Sequence, residues 1–311
     1  MRLPFDPAVL ACPRCGSGVS LESDPVRCRE HGHTYPVVDG IPILVDEDES
    51  VFQIEDFTAG RKTTWPTTPR HRRLVSRFLP SLSMTMGAHE RLRTMIDVLA
   101  SETERPRVLV IGGCVLGSGM DVVAADNRIE LIETDVTFGP RTQLICDAHA
   151  LPFADGSVDA VVVQNVLDAV LDPYRCVEEI HRVLRAGGIA YAETPFMQQV
   201  CGRRFDFTRF TYLGHRRLFR RFTTIEDGIA SGPGMALAWS VQYFLLSFPR
   251  SAHTKAATRG LSRLTLSWLK RLDPYLRRRP GAFDAAAAFY FVGRKSDTVL
   301  GDRELLDLYV E

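Results

Sequence analysis

Three groups of residues in this 311-residue chain have the types and spacing to do chemistry. The first is Cys12-Pro13-Arg14-Cys15, followed past the loop 16–27 by Cys28-Arg29-Glu30-His31-Gly32-His33. Thiolates and an imidazole at these intervals can converge on one tetrahedral zinc ion, Zn(2+), and so small a segment folds poorly without such a staple. Cys12, Cys15, Cys28 and His31 are the expected ligands, with His33 competing for the fourth place. The second group is glycine: Gly112, Gly113, Gly117 and Gly119 follow directly on the apolar run 108–111. There the backbone must turn sharply, and its N–H groups can approach a ligand. The third group is acidic. Glu133 and Asp135 close the next apolar run, where such folds place a carboxylate on ribose hydroxyls, and Asp147 follows a further short run.

The elements that must position these residues show in the rhythm of the sequence. Short apolar runs at 108–111, 129–132, 143–145, 160–163 and 189–192 read as strands, and a helix is expected over 173–184, stopped by Arg185-Ala186-Gly187-Gly188. Alternation of this kind implies an α/β fold with a Rossmann-like, doubly wound, mainly parallel sheet. A small ribbon-like module is expected over 1–46, a connector over 47–105 with a helix at 88–99, and the core over 106–230. A helical lid or insertion follows over 231–285, with apolar and basic helices at 235–248 and 261–276. A final strand at 288–293 and a tail complete the chain to 311.

Nearly half the residues are apolar and the formal charge balances, so a large core is affordable and wholesale disorder is excluded. Seven scattered cysteines make a poor disulfide framework and fit a reducing, cytoplasmic setting. No window reaches the length of a membrane span.

From 107 to 196 the chain resembles the class I S-adenosylmethionine-dependent methyltransferases. The resemblance rests on the glycine loop, then Asp147 with Leu151-Pro152-Phe153, then Asp159-Ala160-Val161, then Arg182-Val183-Leu184 with Gly187-Gly188, all in order. It implies S-adenosylmethionine as cofactor, with Gly112, Gly113, Gly117 and Gly119 under its methionine and ribose and Glu133 or Asp135 on the ribose. It further implies Asp147 and the backbone of Ala148 on the adenine, and Gln164 as part of the site. The sequence departs from the family at Val110, where an acidic residue is usual, and at Cys114, where a glycine is. The stretch Tyr35-Pro36-Val37-Val38-Asp39-Gly40-Ile41-Pro42 is similar to the small zinc-ribbon family that includes an activator subunit of RNA and protein methyltransferases.

In such folds the segment after the fifth strand faces the methyl group, which makes Asp206 and His215 the expected catalytic bases. Arginines crowd 203–221 and 250–279, which favours an anionic substrate or surface near the C-terminal half. The expected acceptor is a small molecule such as a glycan, a lipid-linked precursor or a natural product. RNA ranks second, because the chain carries no net positive charge. The alternative class is a non-catalytic relative that docks a partner through its ribbon. The apolar stretch at 234–248 with the basic residues after it suits a lid, and it also allows a peripheral membrane contact.

Overall fold

The computed structural model describes residues 3–21, 24–59, 79–201 and 203–309. Residues 60–78 of the expected connector lie outside the described residues, as do 310–311 of the tail. The N-terminal segment forms a three-stranded antiparallel sheet of β1 (Val19–Ser20), β2 (Val26–Cys28) and β3 (Thr34–Tyr35). The hairpin of β4 (Val37–Val38) and β5 (Ile41–Pro42) follows it. Asp39 and Gly40 both take positive φ, 50° and 80°, as a two-residue hairpin turn requires. Helix α1 (Ile54–Thr58) and helix α2 (Ala88–Glu102) lead into the main domain.

The main sheet has seven strands, β6 (Arg107–Ile111), β7 (Glu130–Asp135), β8 (Leu144–Ile145), β9 (Val158–Gln164), β10 (Leu184–Pro195), β11 (Phe222–Ser231) and β12 (Ala288–Lys295). Their spatial order is β11-β12-β10-β9-β6-β7-β8. Strands β8, β7, β6, β9 and β10 run parallel, and β12 is antiparallel to both β10 and β11. The chain winds outward from β6 to β8 and then returns to the other side of β6 at β9. This reversal opens a crevice at the carboxyl ends of β6 and β9, where open α/β sheets bind their ligands.

Both faces of the sheet are covered, as the near-continuous apolar run of β6 demands. Val108 and Val110 pack with Leu92, Met95, Ile96 and Leu99 of α2 and with Met120 and Val123 of α3 (Met120–Ala125). Leu109 and Ile111 face the other way, toward Cys176, Val177, Ile180 and Val183 of α4 (Pro173–Val183). The start of α4 is set by Asp172, whose side chain accepts from the Arg175 amide at 3.1 Å, and by Pro173 in the first turn.

Between β7 and β8 lie only residues 136–143, too few for a helical crossover. The N-terminal segment covers that part of the sheet instead. Ile43 forms a parallel bridge to Ile145, the Leu44 amide donates to the Ile145 carbonyl at 2.9 Å, and Leu10 bridges Phe153. Phe5, Val9, Cys12 and Tyr35 accordingly share one apolar cluster with Leu144 and Phe153. The ribbon is thus an edge of the domain rather than a separate bead.

The remaining elements are α5 (Tyr212–Leu218), α6 (Pro233–Leu246), α7 (Ala252–Leu266), α8 (Asp273–Leu276) and α9 (Asp302–Leu306), with α6, α7 and α8 inserted between β11 and β12. Strand β11 is not expected from the sequence, because its first half, Thr223 to Glu226, is exposed at the sheet edge and polar but for Ile225. Strand β10 is longer than expected: it starts at Leu184, and a bulge between Leu184 and Ile189 carries Gly187 at φ +71°.

Candidate active site and metal centre

A cavity of about 350 Å³ fills the crevice at the ends of β6, β7 and β9. Gly112 sits at its floor with φ +80°, and the amides of Gly112 and Gly113 both donate to the Thr134 carbonyl, at 2.9 and 2.8 Å. A Cβ on Gly112 would stand 2.4 Å from Val166, and one on Gly117 would stand 2.0 Å from the Gln164 carboxamide oxygen. Gln164 in turn donates to the Ser118 carbonyl at 3.0 Å and so holds the loop. Gly112, Gly113, Gly117, Glu133, Asp135, Asp147, Ala148 and Gln164 all line this cavity.

Gly119 does not line it. It has φ +75° at the start of α3, and a Cβ there would lie 2.6 Å from the His89 amide nitrogen. Its smallness lets α3 and α2 approach, which is a packing role that spacing alone could not separate from ligand binding. Cys114, in the place of a family glycine, donates its amide to Asp135 at 3.1 Å. Burial, with the Asp135 charge added, pushes its thiol up to about 12.

The carboxylates have distinct partners. Glu133 accepts from Arg141 at 2.6 Å, and burial raises Asp135 above the usual carboxylate range. Asp147 is buried too, yet its pKa is lowered: the His149 ring at 2.6 Å, the His149 amide at 3.0 Å and the Ser50 hydroxyl outweigh the burial. Ser50 was not legible as a site residue, since nothing local to the acidic run 46–49 points to a partner at Asp147. Nor were Phe52 and Phe205, whose rings stack at 5.6 Å while both line the cavity.

A second cavity, about 270 Å³, adjoins the first: Asn165 and Ala169 line both. Asn165 holds the left-handed conformation at φ +52°. Two buried carboxylates, Asp168 and Glu193, line the second chamber beside Arg209. Oδ1 of Asp168 is buried with no hydrogen-bond partner, and its Oδ2 lies 3.9 Å from the Arg209 guanidinium. Burial pushes the Asp168 carboxyl up to about 6, against the pull of Arg209 and with the Asp206 charge adding to the rise. Glu193, raised by burial, accepts from the Tyr191 hydroxyl and lies 4.0 Å from Arg91.

The two expected bases lie elsewhere. His215 is buried in α5, edge-on to Phe219 at 5.3 Å with neither ring nitrogen hydrogen-bonded, and it lines neither chamber. Burial, with Arg216 alongside, pushes it down to about 3, so it is a neutral core residue. Asp206 is engaged by the Arg209 guanidinium and by the Cys201 amide at 2.6 Å. It holds Arg209 in place rather than facing the chamber.

At the ribbon, ligand atoms of Cys12, Cys15, Cys28 and His33 all lie within 4.8 Å of one another. The Cys15 and Cys28 sulfurs are 3.6 Å apart, and Cys12 Sγ is 3.3 Å from His33 Nδ1. A tetrahedral zinc with thiolate bonds near 2.3 Å would set its sulfurs about 3.8 Å apart, so the donor set fits. His33 therefore replaces His31 in the expected set. The β2–β3 pairing puts Cys28 opposite His33, with the Cys28 amide donating to the His33 carbonyl at 2.8 Å, while His31 is exposed at the turn. The His31 amide still donates to Cys28 Sγ at 3.4 Å, and the Tyr35 hydroxyl lies 3.0 Å from Cys12 Sγ.

Residues 113–192 match a family described as a methyltransferase domain. An uncharacterized methyltransferase of Mycobacterium sp. (strain JLS) is 41% identical over 167 residues, covering 46% of this chain and 64% of that protein. The demethylmenaquinone methyltransferase of Renibacterium salmoninarum is 34% identical over 113 residues, covering 34% of this chain and 48% of that protein. The chain thus spans less than two thirds of the first relative and about half of the second. Among solved structures, a putative sarcosine dimethylglycine methyltransferase from Galdieria sulphuraria aligns with a TM-score of 0.44 at 16% identity, over 74% of this chain and 98% of that one.

Proposed function

Since the chain carries a class I methyltransferase domain, we propose that it binds S-adenosylmethionine in the glycine-loop cavity and methylates a small acceptor held in the adjoining chamber. The observation that carries this reading is the junction of the two cavities at Asn165 and Ala169, with a glycine loop lining one and the buried Asp168 carboxyl group among the residues lining the other.

The residues fit the cofactor. Gly112, Gly113 and Gly117 line the cavity with backbone alone, Glu133 and Asp135 stand at the end of β7 for the ribose, and Asp147 with Ala148 lines the part of the cavity read as the adenine position. When bound, S-adenosylmethionine supplies an electrophilic methyl group. This chain's own contribution is orientation and proton removal. Asp168, which lines the chamber, accepts the proton of an acceptor hydroxyl or amine, and Arg209, held by Asp206, limits how far the Asp168 pKa rises. Glu193, fixed by Tyr191, receives a second polar group of the acceptor. Two carboxylates and one paired arginine favour a neutral or cationic acceptor end over an anionic one. The chamber, about 270 Å³, suits a small group rather than a large planar polymer segment.

Cys12, Cys15, Cys28 and His33 hold a structural zinc in this reading, since four protein ligands leave no open position for water. Seven free cysteines accord with a reducing, cytoplasmic setting. Isothermal titration of the full chain with S-adenosylmethionine tests the central reading. Saturable one-to-one binding is expected, and none at millimolar cofactor would discard it in favour of a non-catalytic docking protein.

A further inference from the structure

The segment from α7 through α8 is apolar on two sides, one of them facing solvent. Backbone at Ser267, Trp268, Leu272, Asp273 and Arg277 stays in the right-handed helical region, so the path from α7 to α8 is nearly one helix. Along it Leu261, Leu264, Trp268, Leu272 and Tyr275 recur at intervals of three and four, which places them on one face. In a surface helix that apolar face should turn to the core. Here these five side chains are each between 44% and 64% exposed. The side turned inward packs Leu266 and Leu269 against Leu82 and Ala238, and it also buries Ser262 and Asp273 completely. Ser262 donates to the Thr258 carbonyl at 2.7 Å, and Asp273 caps α6 by accepting from the amides of Gly234 at 2.6 Å and Met235 at 3.1 Å. Phe244 at the end of α6 and Phe248 just beyond it are 65% and 69% exposed.

The charge beside this stripe has one sign. Residues 250–279 contain nine lysines and arginines and a single acid, the buried Asp273. A contiguous exposed apolar face calls for a covering surface, and unopposed cations beside it select an anionic one. No helix among the described residues is long and apolar enough to cross a membrane, so such a contact lies in the interface plane.

We propose that the stripe Leu261, Leu264, Trp268, Leu272 and Tyr275, with the arginines around it, docks the protein on the surface of an anionic lipid bilayer. RNA would use the same cations but has no use for outward leucines on a helix, which favours lipid. A second copy of the chain would bring the same nine cations against themselves. Because α6 also places Met235 in the wall of the acceptor chamber, docking would set that chamber close to the lipid. The proposal does not depend on the methyl-transfer reading.

The test is sedimentation of the full chain with vesicles of phosphatidylcholine alone and of phosphatidylcholine mixed with phosphatidylglycerol. Anionic vesicles should bind the protein at least about tenfold better, and added salt should weaken the binding. The double variant L264E/W268E, altered only at exposed positions, should lose roughly tenfold or more of that partition with an unchanged melting temperature. No partition onto anionic vesicles, or partition that L264E/W268E leaves intact, overturns the proposal. So does self-association in analytical ultracentrifugation that the double variant abolishes, which would assign the stripe to a dimer. Tight binding to single-stranded RNA that survives L264E/W268E, without vesicle binding, would assign the cations to nucleic acid.

Discussion

The ring of Phe52 stacks on that of Phe205 at 5.6 Å and an interplanar angle of 28°, joining the segment after the ribbon to the segment after β10 above one cavity. The two residues are 153 positions apart, so the cofactor chamber closes only when both ends of the domain are in place.

Phe52→Ala should therefore weaken S-adenosylmethionine binding by roughly tenfold, from lost aromatic contact and buried area, with the fold retained. Calorimetric titration of the variant checks this. An unchanged Kd would take the Phe52 ring out of the ligand's surroundings.

Asp168 must be ionised to take a proton, and its carboxyl is raised to about 6. The methyl-transfer rate should climb as pH rises through about 6 and level off above it. Asp168→Asn should remove that inflection and lower kcat by about 10²- to 10⁴-fold. The same group carries a stability signature. Its raised value means that stability from the protonated form is fully present below about pH 4 and is lost as pH rises through the folded value. The asparagine variant should accordingly melt higher than the wild type at pH 8, which a thermal scan at pH 5 and pH 8 would show.

Zinc content separates the two histidines of the ribbon. His33→Ala should lose the ion and His31→Ala should keep it, by elemental analysis of protein prepared without chelators. Because Leu44 pairs with Ile145 next to Asp147, metal removal should loosen residues 3–46 and also weaken cofactor binding. Cofactor affinity unaffected by a chelator would show that the ribbon edge holds without its ion.

Gly119→Ala distinguishes packing from ligand contact within the glycine loop. With φ +75° and a Cβ only 2.6 Å from the His89 amide nitrogen, the substitution should cost about 1 to 3 kcal/mol of stability by denaturant melts. Gly117→Ala should instead displace Gln164 and act on cofactor affinity, since its Cβ would point at that side chain.

Much of the domain is legible in local pattern. The apolar runs at β6, β7 and β9 and the helix α4 follow from periodicity and capping, because each strand of a buried parallel sheet must be apolar on both faces. Gly112, Gly113 and Gly117 after β6 and the acids ending β7 could be named from order alone, and they do line the cavity, whereas Gly119 does not. What sequence could not decide depends on pairing across distance. His33 rather than His31 joins the cysteines because strand register sets which residue faces Cys28. His215 is withdrawn into the core and Asp168 is left with a buried oxygen that has no partner, because burial is decided by neighbours from other elements. The outward leucines of α7 show the same limit. Helical spacing fixes that they share a face, and only tertiary packing decides that the face meets solvent rather than the core.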